Sequence, residues 1–122
     1  MLSESDIERR APVWQAMSGL FLDTEISLGD YQALALSLAG SGFSRSELRD
    51  IFLHQAAPAF FPNLLVVAGE WQYWSEDEAR DIVLKCMRGR QTFPPFYWLR
   101  RWFSRRHARA EWEKIMAAWP QP

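Results

Sequence analysis

The chain is 122 residues long, 48% hydrophobic, 15% aromatic and 24% charged, a composition that fits one packed core and excludes a disordered chain or two full domains. Fourteen Lys and Arg against fifteen Asp and Glu leave a net charge of -1, so no overall monopole draws the molecule to nucleic acid or acidic lipid. A single cysteine, Cys86, excludes an internal disulfide and a zinc site built on several thiolates, which fits a reducing compartment.

The acidic start Met1-Leu2-Ser3-Glu4-Ser5-Asp6 lacks the basic, then apolar, pattern of an export signal. The most apolar stretch, 56–69, carries Pro58, Pro62 and Asn63 and falls short of the ~20 residues of a spanning helix, so it reads as core.

In chain order, Val13, Met17, Leu20 and Phe21, flanked by Trp14, recur at helical spacing. Pro12 suits the first position of that helix, with Ser5-Asp6-Ile7-Glu8 capping a short turn before it. Ser27-Leu28-Gly29-Asp30 starts a second helix with Tyr31, Leu34, Ala35 and Leu38 on one face, closed by Gly40-Ser41-Gly42. The capping box Ser44-Arg45-Ser46-Glu47 opens a third, striped by Leu48, Ile51, Phe52 and Gln55 and expected to stop near Pro58.

Between Phe60 and Trp74 no period is clear. Residues 62–68 read either as a buried strand or as a short buried helix from Pro62, and the absence of a partner strand favours the helix. Ser75-Glu76-Asp77-Glu78 is the strongest helix start, with acids opposing the helix dipole. Its stripe of Ala79, Ile82, Val83 and Cys86 buries the thiol, and Lys85, Arg88 and Gly89 end it. Phe93-Pro94-Pro95 imposes an extended connection before a basic, aromatic helical segment over 96–119, which Pro120 terminates. The expected fold is all-α: one helical domain over 1–122, a bundle of five or six helices with an irregular Pro-containing connection.

The blocks Arg10-Ala11-Pro12-Val13-Trp14, Leu20-Phe21-Leu22-Asp23-Thr24-Glu25 and 62–71 (PNLLVVAGEW) resemble a family of small uncharacterised bacterial proteins carrying a domain of unknown function, over roughly residues 9–88. The resemblance implies a bacterial, cytoplasmic protein and carries over no catalytic residue. By analogy with other small bacterial single-domain proteins, it adds an immunity or antitoxin role as an expectation.

Charge is distributed unevenly. Residues 1–84 hold five Lys and Arg against thirteen Asp and Glu, a net of -8, whereas residues 85–122 hold nine against two, a net of +7. Packing of the last helix against the acidic part would neutralise these charges internally, the commoner outcome for surface ions. The functional alternative presents Arg100, Arg101, Arg105, Arg106 and Arg109, with Trp98 and Trp102, to an acidic protein or to phosphates. A second candidate surface is the acidic region 70–81, with Glu70, Trp71, Glu76 and Asp77.

On one straight helix Trp98, Trp102, Trp112 and Met116 are expected to share a face that Arg105 and Arg109 interrupt. This favours a break near Ser104 to His107 over arginines stacked on the tryptophans.

Enzymatic readings find little support. His54 reads as a partner of Asp50 one turn before it, and His107, among arginines, as a surface residue that resists protonation. Asp23, Glu25 and Glu70 have no metal-ligand spacing, and no phosphate loop or nucleophile elbow is present. The sequence therefore points to a non-catalytic protein–protein interaction protein without metal or cofactor. The alternative is a nucleic-acid-binding module using the basic aromatic segment, with bases stacking on indoles.

Overall fold

The computed structural model describes residues 2–22, 24–65, 72–88 and 94–120, with side chains throughout except at 65, 94–101 and 103. Among the described residues six α-helices follow one another: α1 (Glu4–Ser18), α2 (Leu28–Ala39), α3 (Arg45–Ile51), α4 (Ala57–Phe60), α5 (Glu76–Arg88) and α6 (Pro94–Ala117). No strand occurs among the described residues, so the fold is an all-α bundle.

Serine capping boxes set the helix starts. Ser27 and Asp30 open α2, Ser44 and Glu47 open α3, and Ser75 and Glu78 open the helix at Glu76, each serine hydroxyl accepting the third residue's N–H while the carboxylate accepts the serine N–H. The first helix differs from expectation. Ser3 and Asp6 form its box, so the helix runs from Glu4 and Pro12 lies inside it. Pro12 is exposed, on the solvent side, where water can bond the carbonyl left without an N–H partner.

The third helix does not stop near Pro58. After Ile51 the chain widens into a π-helical turn, Phe52–Ala56, in which the Ala57 N–H reaches back to the Phe52 carbonyl, and then continues as α4. Pro58 falls in the first turn of α4, directly after the wide turn. The wide turn also places the Gln55 Oε1 atom 3.0 Å from the indole Nε1 of the fully buried Trp14, whose N–H would otherwise be unsatisfied. A 3-10 turn, Phe61–Leu65, follows, in which the Asn63 Nδ2 donates to the Phe21 carbonyl at 2.7 Å. The expected helix or strand over 62–68 is thus a 3-10 turn as far as Leu65, and its remainder lies outside the described residues.

One core joins these elements. Trp14, Met17, Phe21, Leu38, Leu48, Phe52, Phe60, Val83 and Ile115 are its largest fully buried apolar members. Phe21 is central, its ring 5.9 Å from Phe52 and 6.3 Å from Phe60, while Phe52 lies 5.9 Å from Trp112 of the last helix. The helices α1 and α5 pack together, and α6 packs on α2, α4 and the π-helical turn. Of the expected α5 stripe, Ala79 and Val83 are buried, whereas Ile82 and Cys86, the latter in the last turn of the helix, are partly exposed.

Candidate interaction surface

The last helix is continuous through Ser104 to His107, and the break expected there does not form. Trp102 and Trp112 lie on different faces instead. Ser104, Ala108, Glu111, Trp112 and Ile115 are buried, a three- and four-residue spacing that places one stripe on the core. Trp102, Arg106 and Arg109 point away from it, about 115° to 175° around the axis from the centre of that stripe, and the partly buried Arg105 lies at its edge. The arginines therefore never interrupt a core face, and no helix break is needed.

The outward face is a shallow groove of about 370 Å³ lined by Trp102, Arg105, Arg106 and Arg109. Trp102 keeps 48% of its surface exposed, and the Arg106 guanidinium carbon lies 5.6 Å from its ring centroid, a cation–π arrangement. The ion pairs among the described residues are Arg10 with Asp6, Arg80 with Asp77 and Asp81, and Lys114 with Glu111. None includes Arg105, Arg106 or Arg109. Of the other expected members of this surface, Trp98, Arg100 and Arg101 belong to the same helix by their backbone, and their side chains lie outside the described residues.

The inner side of α6 is polar in places. Glu111 is buried and accepts a hydrogen bond from the Tyr31 hydroxyl, and its other oxygen lies 3.4 Å from Lys114 Nζ. His107, expected at the surface, is half-buried between the rings of Phe21 and Phe61, at 5.7 and 5.6 Å. Its Nε2 has no hydrogen-bond partner among the described residues. Burial is the main reason that its pKa is lowered, with Lys114 lowering it further and Glu111 acting in the opposite sense; neighbouring arginines are not the cause.

The acidic candidate surface is only partly described. Glu76 and Asp77 are exposed in the first turn of α5, with Asp77 held 3.2 Å from Arg80, while Glu70 and Trp71 lie outside the described residues. Trp74, next to this surface, packs its ring 5.0 Å from Phe60 and accepts a hydrogen bond on its carbonyl from Gln15. Tyr73 faces outward with 66% of its surface exposed.

A concavity that sequence reasoning missed lies between the end of α1, the connection to α2 and Tyr73. It measures about 220 Å³, with walls from Leu20, Leu22, Ile26 and Leu34, and Glu25 and Asp30 among its lining residues. Gly19 at its edge is the one sequence trace: a Cβ there would stand 2.5 Å from the Tyr73 ring. Among the described residues no group of three or more acidic, histidine or cysteine side chains converges as a metal site, and Asp23 lies outside them. His54 is exposed. No helix among them is long and apolar enough to cross a membrane.

The chain belongs to the DUF7079 family, a domain of unknown function whose family profile matches residues 8–118. No curated protein and no solved structure matches it.

Proposed function

We propose that this DUF7079 chain is a non-catalytic interaction protein of the bacterial cytoplasm, of the immunity or antitoxin kind, that binds an acidic protein through the outer face of α6. The observation that carries this reading is the outward placement of Arg106 and Arg109, with the partly buried Arg105 lining the same groove, beside the exposed Trp102, and with no ion pair from these arginines to a carboxylate among the described residues. Arginine and tryptophan are the residues that most often dominate binding energy at protein interfaces, because both bury a large flat surface and the guanidinium adds directed hydrogen bonds. Unpaired cations also steer an acidic partner during diffusional encounter.

The experiment is affinity capture from a bacterial lysate with the wild-type chain and with Arg105→Glu/Arg109→Glu, followed by mass spectrometry and titration of the purified partner. An acidic protein bound by the wild type and lost by the variant supports the reading. Capture that survives the charge reversal moves the interface elsewhere. Copurified material absorbing at 260 nm, with affinity falling steeply as salt rises, would instead support the nucleic-acid reading, in which bases stack on Trp102.

A further inference from the structure

The concavity beside Tyr73 and the face of α6 have complementary chemistry. The first offers aliphatic walls for a side-chain stem, the exposed Tyr73 ring for a cation, and the carboxylates of Glu25 and Asp30. The second offers arginines without carboxylate partners among the described residues. In sequence the two belong to the parts of the chain that carry -8 and +7, and the nearly cancelled total of -1 leaves no net repulsion between copies.

Their placement matters as much as their charge. Phe21, between the pocket residues Leu20 and Leu22, packs its ring 5.7 Å from His107 of α6. That contact is on the inner side of α6, so the concavity and the outer face of the helix are separate surfaces of one molecule, and a two-fold pair can make each contact twice. Asp30 has one oxygen committed to the Ser27 N–H at 2.8 Å, which fixes the direction of its carboxylate without neutralising it.

We infer that a second copy of this chain docks on the first, the arginines of each α6 entering the pocket formed by Glu25, Asp30 and Tyr73 of the other. This inference rests on the outward-facing α6 described above. It adds that self-association covers the same arginines until an acidic partner displaces the second copy.

The test is sedimentation equilibrium of the full chain between about 0.05 and about 0.5 M salt, a range over which the screening length falls from above 10 Å to a few ångströms. At the low end the wild type should show a concentration-dependent species of twice the 14.3 kDa chain mass, lost at the high end. Glu25→Arg alone and Arg105→Glu/Arg109→Glu alone should each be monomeric, with unchanged far-ultraviolet circular dichroism. Mixed in equal amounts, these two variants should restore the dimer, because each reversed surface then meets its complement. A wild type that stays monomeric at low salt, a dimer that survives Glu25→Arg, or a mixture that fails to pair would overturn the inference. Partner capture reads the acidic-protein function separately: Glu25→Arg leaves the α6 face intact, so its capture tests that function whatever the outcome here.

Discussion

The Tyr31 hydroxyl donates a hydrogen bond to the Glu111 carboxylate, joining α2 to the last helix across 80 residues of sequence. Burial, and then this carboxylate, push the tyrosine pKa well above its ordinary value, so the group remains a donor throughout the neutral range. Glu111 is buried, with Lys114 as its other partner. Tyr31→Phe removes the donor and leaves a buried carboxylate short of a partner, which should cost about 1.5–3 kcal/mol. Glu111→Gln keeps an acceptor for Tyr31 and should cost less. Urea denaturation of both variants checks the order, and equal losses would mean that the tyrosine bond contributes nothing beyond packing.

The stability of the protein should fall in two stages on acidification. The folded pKa of His107 lies below the ordinary 6.5, so the unfolded chain takes up a proton first as the pH drops. Stability from neutral His107 is present above that value and is lost progressively below it, through the depressed folded pKa. The capping carboxylates Asp6, Asp30, Glu47 and Glu78 are also depressed, by hydrogen bonds from their serine N–H groups first and from the serine hydroxyls second. Their contribution is present above the ordinary carboxylate range and fades as the pH falls through it. Urea midpoints from pH 8 to pH 3, with about one point per pH unit, check this. His107→Phe should flatten the first stage and leave the second.

Gly19 has helical backbone angles, φ -59 and ψ -24, so it is not there for conformational freedom. What it provides is space for Tyr73, whose ring edge would stand 2.5 Å from an added Cβ. Gly19→Ala should expel the exposed ring at little cost in stability. In a Tyr73→Ser background the same alanine should stabilise by about 0.4–1 kcal/mol, because only the unfolded-state entropy then changes. Thermal unfolding of the two single variants and the double variant measures the coupling. A gain from Gly19→Ala as large with Tyr73 present as without it would mean that the ring has no hold on that position.

Much of the fold was legible because local rules and tertiary packing agree. Ser27, Ser44 and Ser75 each precede a third-position carboxylate, and each opens a helix as read. Where a second local signal was available the reading went astray: Ser5 and Pro12 looked like a start, but Ser3 and Asp6 form the first box. Pro58 looked like a stop because a π-helical turn leaves no mark in hydrophobic spacing. The candidate surface was legible as a composition, basic and aromatic, but not as a geometry. Trp102, read as part of that surface, was also expected to share a face with Trp112, whereas the small residues Ser104 and Ala108 mark the buried stripe that carries Trp112 alone of the two. The Tyr73 concavity depends on contacts between segments about 40 or more residues apart and has no local pattern to betray it.

The division of α6 into an inner and an outer face is directly testable with its own tryptophans. Trp112 keeps 7% of its surface exposed and packs its ring tilted against Phe52, so Trp112→Ala opens a cavity in the core and should cost about 3–5 kcal/mol. Trp102, at 48% exposed, buries far less surface than Trp112, so Trp102→Ala should cost clearly less, about 1 kcal/mol. The same variant should weaken capture of an acidic partner markedly, since an aromatic anchor beside arginines is where binding energy concentrates. Denaturation and binding measured on both variants separate the roles. Comparable losses of stability would place Trp102 in the core and remove the outward face on which binding depends.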